Sequence, residues 1–337
     1  MADTPPSPEI VFETFTAFQR TATLKAAVDL DVFTAISEGA DTPAALATHV
    51  GAAERGVRSL CDALVVLGFL TKVGGRYGLG PDASVFLDRR SPAYVGTIGR
   101  FLTSRWLVEC FEHLTEAVPH GGTAVAEQGL LGVADHPVWV EFARGMAPLA
   151  RLTAEVLAAV LAVDQAPPRR VLDIAAGHSL FGITLARHAA HAEVVALDAR
   201  DVLAVARENA AAAGVEARFG TIEGSAFTED WGTGYDLVLL TNFLHGFDRA
   251  TCETLLAKAH QALVPGGRAV AVEFVPEEDR VSPPDAALFS LTMLATTAGG
   301  DAYTFGELEA MYQQAGFTTV ELRALPPSPQ QAVIGRA

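Results

Sequence analysis

Four residues that could do chemistry each follow an apolar run in the second half of the chain: Gly177, Asp198, His245 and Glu273. Glycine allows a ligand to approach the backbone, and an acidic side chain such as Asp198 can accept hydrogen bonds from both hydroxyls of a ribose. A histidine can take up a proton near neutral pH. Parallel strands place their carboxyl ends at one edge of a sheet, where ligands bind. The spacing therefore predicts a ribose-binding cleft beside an acid–base pair.

The elements that must position these residues alternate regularly after residue 166. Apolar runs predict strands at about 171–174, 193–197, 216–219, 236–240 and 268–274, and intervening runs predict helices at about 180–190, 201–213, 250–263 and 304–315. The tail, 317–335, is interpreted as a final pair of strands. Such alternation predicts an α/β fold, a doubly wound sheet with an antiparallel hairpin at one edge.

The first hundred residues predict a mostly helical unit. Residues 42–50 and 54–70 are interpreted as two helices and residues 71–79 as a hairpin with a glycine turn, which is the order of a winged helix. Residues 9–36 are too apolar for a helix that faces water on all sides, so a partner surface must cover them. We predict a winged-helix-like dimerisation domain over 1–100, a helical bridge lining a substrate pocket over 101–166, and a ligand-binding domain over 167–337.

Composition and charge argue against several classes of protein. The chain has 337 residues and a net charge of −16, and such a surface repels the phosphates of nucleic acids. The second N-terminal helix offers only Arg55 and Arg58 to DNA, so a transcription regulator is the less favoured alternative. Three scattered cysteines, no signal peptide and no membrane-spanning run predict a cytoplasmic protein with no membrane partner. Asp198, Asp236 and Asp248 lack the clustered spacing of a magnesium site, so no metal is expected.

The turn after the strand at 171–174 narrows the class of nucleotide. A dinucleotide site needs glycine where the backbone meets the pyrophosphate, but this turn has Ala175, Gly177 and Ser179 at the corresponding positions. Their side chains favour a ligand with ribose and adenine but no pyrophosphate, such as S-adenosylmethionine. Asp173 is expected to support the turn or the amino group of that ligand, and Ser179 is expected to cap the following helix.

With these pieces in place, the chain resembles the S-adenosylmethionine-dependent O-methyltransferases of the plant caffeate and bacterial polyketide-tailoring type, from about residue 10 to the C-terminus. The most specific motifs are Leu244-His245, Pro-Gly-Gly-Arg at 265–268, and Val272-Glu273. In that family the histidine is the general base and an acidic residue 28 positions later orients it, and Glu273 lies 28 positions after His245. The resemblance implies a class I methyltransferase domain with a Rossmann-like sheet, a winged-helix dimerisation domain, a homodimer, and S-adenosyl-L-methionine as cofactor.

The chain departs from the pattern of that family in several places. Gly246 stands where relatives carry aspartate, and Ala302 stands where a second acid is expected, next to Asp301. Ser225 replaces the aspartate of the family's Gly-Asp motif, although a serine hydroxyl can still hydrogen-bond adenine. The missing acids keep two alternatives open, which are C-methylation and a tailoring reaction without methyl transfer.

The resemblance and the residues together predict methyl transfer to a hydroxyl of a hydrophobic, aromatic or polyketide small molecule, with His245 as the base and Glu273 orienting it. His178 is expected to be structural. The residues expected to bind the cofactor are Asp173, Gly177, Ser179, Asp198, Ser225, Ala226, Phe227 and Asn242. The residues expected to line the substrate pocket are Trp106, Phe142, Arg144, Met146, Phe289 and Met293.

Overall fold

The computed structural model describes residues 6–125, 138–163 and 165–337. The chain divides into two compact units, Met1–Thr103 and Ser104–Ala337. Nearly all of the predicted bridge, 101–166, therefore groups with the second unit, and its role as a separate domain stays a prediction. Across the described ranges, no helix is long and apolar enough to cross a membrane.

The first unit is a helical bundle with one hairpin, and it contains the predicted order of helix, helix and hairpin. Thr42 caps the helix that begins at Pro43, and Gly51 ends that helix in the left-handed region, with φ of 65°. Its elements are α1 (Glu9–Asp29), α2 (Val32–Ser37), α3 (Pro43–Val50), α4 (Glu54–Val66), β1 (Leu70–Val73), β2 (Arg76–Leu79), α5 (Pro81–Phe86) and α6 (Ile98–Leu102).

Helix α1 carries large apolar side chains that no described residue covers. Phe12, Phe15 and Phe18 are 67%, 78% and 68% exposed, and Ile10 and Val11 beside them are also exposed. Moving large aromatic side chains out of water is favourable, by about 25 cal/mol for each Å² of apolar surface that becomes buried. Such a contiguous apolar face marks an interaction surface.

The second unit is built on a seven-stranded sheet in the order β5-β4-β3-β6-β7-β9-β8. The strands from β3 to β7 are parallel, whereas β9 is antiparallel to both β7 and β8. This confirms the predicted α/β sheet with an antiparallel pair at one edge. The elements are α7 (Arg105–Glu112), α8 (Leu114–His120), α9 (Val138–Val160), β3 (Arg170–Ile174), α10 (Leu180–His188), β4 (Glu193–Asp198), α11 (Arg200–Ala212), β5 (Phe219–Glu223), β6 (Tyr235–Thr241), α12 (Arg249–Ala262), β7 (Leu263–Glu273), α13 (Pro284–Thr296), α14 (Phe305–Gln314), β8 (Thr319–Ala324) and β9 (Gln331–Arg336).

Two large apolar clusters, one on each face of this sheet, hold the unit together. Side chains of the central strands alternate between them: Leu237 and Leu239 of β6 belong to one cluster, and Val238 and Leu240 belong to the other. Burial on both faces is typical of a parallel sheet covered by helices. The sheet is therefore a rigid frame for the residues at its carboxyl edge.

One predicted strand is placed too early in the chain. The strand predicted at 216–219 begins at Phe219, because Glu216–Arg218 form a single 3-10 turn. Arg218 in that turn donates to the carbonyls of Ala186 and Ala192, at 2.9 and 2.6 Å. It thereby satisfies backbone acceptors at and beyond the end of α10, which a strand residue would not reach.

Helix α13 was not predicted at all, although it carries two of the expected pocket residues. It begins at Pro284 and contains both Phe289 and Met293. Its apolar residues surround the helix instead of marking one stripe, so the sequence gives no helical period there. Both α7 and α8 pack against it within the second unit.

Candidate active site

The turn between β3 and α10 rests on a fully buried carboxylate. Asp173 has no exposed surface, and its Oδ2 accepts a hydrogen bond of 2.7 Å from the Ser179 hydroxyl. Its other oxygen, Oδ1, has no hydrogen-bond partner among the described residues. Burial raises the pKa of Asp173 to about 7. The expected cap at Ser179 is wrong, because its hydroxyl binds Asp173 and no side-chain cap forms.

Gly177 and Asp198 join this turn to the end of the next strand. The Gly177 N–H donates to Asp198 Oδ2 at 2.8 Å, and the Ala199 N–H donates to Asp198 Oδ1 at 2.7 Å. Gly177 has φ of 58°, a left-handed conformation that favours glycine. Burial raises the pKa of Asp198, whereas the two backbone bonds stabilise its charged form. Each oxygen keeps a lone pair for a further donor.

One cleft gathers most of the residues that the sequence assigns to the cofactor. Asp173 and Ser179 are buried beneath the turn and do not line it. Phe142, expected in the substrate pocket, lines this cleft instead. The lining residues are Trp139, Phe142, Ala175, Gly177, Leu197, Asp198, Ala199, Val202, Gly224, Ser225, Ala226, Phe227, Asn242 and Phe243.

The aromatic side of the cleft was only partly predicted. Phe227 is one of the expected cofactor residues. The centroid of its ring lies 5.2 Å from that of Phe247, and the centroid of Phe247 lies 4.9 Å from that of Phe243. Trp139 at the start of α9 lies 5.9 Å from Phe142, edge to face. Trp139 belongs to the bridge that was expected to line a pocket, whereas sequence reasoning missed Phe243 and Phe247. The only signal was an aromatic residue on each side of Leu244-His245-Gly246, a spacing that core residues share.

The structure brings His245 and Glu273 into contact. The imidazole Nδ1 of His245 hydrogen-bonds the carboxylate Oε2 of Glu273. The other carboxylate oxygen, Oε1, accepts from the backbone N–H groups of Phe243 and Leu244, at 3.2 and 2.9 Å. The side chains of His245 and Glu273 are 12% and 4% exposed. One carboxylate therefore fixes both the ring and the backbone turn that carries it, and Nε2 is the remaining ring nitrogen.

Further contacts hold the 3-10 turn of His245, Leu244–Gly246, from its other side. The Tyr303 hydroxyl donates to the Phe247 carbonyl at 2.6 Å, and the Cys252 thiol donates to the Leu244 carbonyl at 3.1 Å. Gly300 packs so closely that an added Cβ would overlap the carbonyl oxygen of His245 and lie 2.8 Å from the Gly246 carbonyl carbon. These contacts fix the position of the turn that carries His245.

Four of the residues expected to line the substrate pocket lie on helices: two on α13 and two on other helices. Phe289 lies edge to face on the His245 ring, with centroids 4.8 Å apart, and stacks on Phe274 at 4.2 Å. Met293 is buried one turn further along α13, and Trp106 and Met146 are half-buried on other helices.

Arg144 does not point into the pocket. Its guanidinium forms a bidentate ion pair with Glu208 of α11, at 2.8 and 3.0 Å, and both side chains are exposed. A charged side chain on a helix gives no sequence signal of its partner when that partner is 64 residues away. The expected contact of Arg144 with substrate is therefore replaced by a tie between α9 and α11.

Several other polar residues are occupied by the backbone. His178 Nδ1 accepts from the Leu180 N–H at 3.1 Å, as expected for a structural histidine, and burial lowers its pKa to about 4. Asp236 accepts from the N–H of Arg170 at 2.8 Å, and Asp248 caps α12. In the described part of the chain, no group of three or more His, Cys, Asp or Glu side chains could hold a metal ion.

Comparison with known proteins decides which family this site belongs to. A model described as O-methyltransferase domain matches residues 111–318, and one described as O-methyltransferase dimerisation domain matches residues 12–89. The 3-hydroxy-5-methyl-1-naphthoate 3-O-methyltransferase of Streptomyces sahachiroi is 31% identical over 98% of this chain and 97% of its own length. The chain belongs to the O-methyltransferase family. It is an S-adenosylmethionine-dependent methyltransferase with S-adenosyl-L-methionine as its cofactor.

Other members of the O-methyltransferase family agree in length and fold. The tetracenomycin polyketide synthesis 8-O-methyl transferase of Streptomyces glaucescens is 30% identical over 95% of this chain and 94% of its own. A solved O-methyltransferase structure from Nostoc punctiforme has a TM-score of 0.95 and 49% identity, over 99% of this chain and 100% of that chain. Human N-acetylserotonin methyltransferase, solved with its cofactor, has a TM-score of 0.85 at 22% identity over 100% and 99%, which supports the fold alone.

Proposed function

We propose that this O-methyltransferase methylates a hydroxyl group on an aromatic small molecule, with His245 as general base and Glu273 as the residue that orients it. The observation that carries the proposal is the hydrogen bond between His245 Nδ1 and the buried Glu273 carboxylate. A carboxylate that accepts from Nδ1 requires the proton on that nitrogen, so Nε2 is free to accept a second proton.

The cleft residues fit the cofactor of the family. Asp198 has lone pairs left for ribose hydroxyls, and Phe227 offers an apolar surface for adenine. Asp173 does not line the cleft, so its part is to hold Ser179 and the turn beneath the ligand. When bound, S-adenosyl-L-methionine supplies a methyl group whose carbon–sulfur bond breaks as a carbon–oxygen bond to the acceptor forms.

The protein's own contribution is alignment and removal of one proton. His245 Nε2 takes the hydroxyl proton of the acceptor, and Glu273 stabilises the imidazolium that forms. A phenol and an ordinary imidazole differ by about 3.5 pKa units, which corresponds to about 5 kcal/mol for complete proton transfer. Glu273 accepts from Nδ1 and so holds the ring in the tautomer that leaves Nε2 free for that proton.

An aromatic acceptor is supported by the wall beside the base. Phe289 faces the His245 ring and stacks on Phe274, so a flat acceptor that reaches Nε2 would meet an aromatic surface. The names of the relatives point the same way: the Streptomyces sahachiroi enzyme acts on a hydroxynaphthoate and the vertebrate relatives act on acetylserotonin.

The proposed assembly is a homodimer in which a second copy covers α1. The dimerisation-domain match spans residues 12–89, and the exposed aromatic side chains of α1 lie at and beside its beginning. Three free, buried cysteines support the proposed cytoplasmic location, because thiols persist in a reducing compartment.

The test is methyl transfer by the purified protein to two probe acceptors, 3-hydroxy-5-methyl-1-naphthoate and N-acetylserotonin, followed by mass spectrometry and NMR of the product. His245→Ala is expected to lower kcat by about 100- to 10,000-fold while S-adenosylhomocysteine still binds. His49→Ala, an exposed histidine of the first unit, is the matched control. Turnover by the His245→Ala protein near the wild-type rate would refute the assignment of the base. A methyl group found on carbon would favour the alternative of C-methylation.

A further inference from the structure

The segment that carries Ser225, Ala226 and Phe227 forms a single turn. Only some of its backbone groups form hydrogen bonds within the turn. The N–H groups of Thr228 and Glu229 donate to the Ser225 carbonyl, at 3.1 and 3.0 Å. The next carbonyls of such a turn have no partner within it, because no further helix follows. An isolated turn of this length is unstable in water. Something outside the segment must hold it against the cleft.

Lys258 of α12 supplies the missing donors. Its ammonium donates to the carbonyls of Ala226, Phe227 and Glu229, at 2.7, 3.3 and 3.1 Å. All three donors of one ammonium are thus used on the carbonyl end of the turn, where a positive charge is favoured. Burial of the ammonium lowers the pKa of Lys258, and Asp230 and Glu229 oppose this effect.

Trp231 completes the support. Its indole N–H donates to the same Ala226 carbonyl at 3.0 Å, and the Lys258 ammonium lies over its ring, 4.8 Å from the centroid. The indole is buried at 3% exposure, so the Lys258 side chain is packed on a fixed surface. The ammonium therefore has a defined position, which a flexible surface lysine lacks.

We propose that Lys258 is a positioning residue for the cofactor: it braces the 225–229 turn so that Ser225, Ala226 and Phe227 present a preformed wall to the adenosyl part of the ligand. Lys258 itself does not line the cleft, so it acts through those residues. Preforming a loop removes the entropy of ordering it from the free energy of binding. The inference concerns cofactor affinity and is independent of the acceptor and of the base.

The experiment is calorimetric titration of S-adenosylhomocysteine into the full chain carrying Lys258→Met. The dissociation constant is expected to rise on the order of 10-fold or more, because three charge-assisted hydrogen bonds to the wall are lost. Lys258→Arg, which keeps donors and charge, should recover part of the affinity. Lys72→Met is the matched control, since that lysine lies 5.0 Å over the Tyr77 ring in the first unit. Its titration should match that of the wild type.

Two readouts separate positioning from a general loss of stability. The KM for S-adenosyl-L-methionine should rise in the Lys258→Met protein while kcat at saturation stays near wild type. The chain has only three lysines, Lys25, Lys72 and Lys258, so acetylation of each can be followed by peptide mass spectrometry. Bound S-adenosylhomocysteine should slow the reaction at Lys258 and leave Lys25 unchanged.

The proposal is overturned if the Lys258→Met protein binds S-adenosylhomocysteine within twofold of the wild type, or if the ligand leaves acetylation of Lys258 unchanged. If Lys258→Met fails to fold, Trp231→Phe removes the other donor to Ala226 and should weaken binding by a smaller factor; unchanged binding there overturns the proposal as well. Failure of the His245 assignment would appear only in kcat, so the two ideas fail in different measurements.

Discussion

Replacing Glu273 by glutamine separates the two functions of this carboxylate. In the Glu273→Gln variant, the amide oxygen can still accept from the N–H groups of Phe243 and Leu244, which hold Oε1 in the wild type. The amide nitrogen then faces His245 Nδ1 and must donate to it. The imidazole is forced into the tautomer that carries its proton on Nε2. The ring keeps its place, but Nε2 has no lone pair with which to take a proton from an acceptor.

The expected effects of Glu273→Gln and Glu273→Ala differ in kind. An acid-to-amide change of this type lowers kcat by about 10⁴-fold in a catalytic triad, and we expect a large loss here too, with a nearly unchanged melting temperature. Alanine leaves two buried N–H groups unpaired at about 1–3 kcal/mol each, or about 2–6 kcal/mol together. Because whole domains are stable by only about 5–15 kcal/mol, Glu273→Ala should be visibly destabilised.

The assay measures formation of S-adenosylhomocysteine with a saturating acceptor, thermal unfolding of each variant, and ¹⁵N chemical shifts of the His245 ring, which report the tautomer. Glu273→Asp is a third variant that retains the charge and shortens the reach. The reasoning is refuted if Glu273→Gln turns over within about tenfold of the wild type, since general-base catalysis is worth at least about 100-fold. It is equally refuted if the ring of the glutamine variant keeps its proton on Nδ1.

Three further predictions follow from other contacts. Gly300→Ala should lower kcat at least about tenfold with unchanged S-adenosylhomocysteine affinity, because its Cβ would overlap the His245 carbonyl. Gly56→Ala is the control and should be neutral, because a Cβ there meets nothing within 4 Å. Equal kcat values for the two variants would contradict the prediction for Gly300. Burial raises the pKa of Asp173 to about 7, so between about pH 4 and pH 7 this carboxyl holds its proton more firmly in the folded chain than in the unfolded one, and its own contribution to the free energy of unfolding should fall by about 1.4 kcal/mol per pH unit. Denaturant titrations of Asp173→Asn should lose that slope, and a retained slope would assign it elsewhere. Phe15→Glu places a charge on a side chain that is 78% exposed in one chain and covered in the proposed dimer, so light scattering should show monomers; a persistent dimer would place the interface away from α1.

The pairing of His245 with Glu273 could be predicted because it depends on strand order. His245 lies just after β6 and Glu273 is the last residue of β7, and these two strands are neighbours, with Thr241 opposite Val272. Asp198 and Gly177 could be placed for the same reason, since β3 and β4 are adjacent. Positions at the ends of parallel strands are set by hydrophobic periodicity, which is written in the sequence.

Contacts made by long or polar side chains could not be predicted in the same way. Ser179 has the right type and position for a helix cap, yet its hydroxyl donates to Asp173, because a fully buried carboxylate needs a donor. At the same helix end the Leu180 N–H donates to His178 Nδ1 instead. Arg144 follows Phe142 by two positions, yet it pairs with Glu208 while Phe142 lines the cofactor cleft. Sequence spacing fixes which face of an element a residue occupies, but the partner depends on packing between elements.

Helix α12 connects the two halves of the proposed site. Its cap, Asp248, follows the turn of His245 after one residue, Phe247, and the Cys252 thiol in its first turn donates to the Leu244 carbonyl. Lys258, six residues later and therefore about 9 Å along the axis, binds the turn that lines the cofactor cleft. A misplacement of about 1 Å between reacting groups can cost about 100-fold in rate. A single helix that holds both turns fixes their separation with no flexible joint between them, so a kink in its middle should reduce cofactor affinity and kcat together.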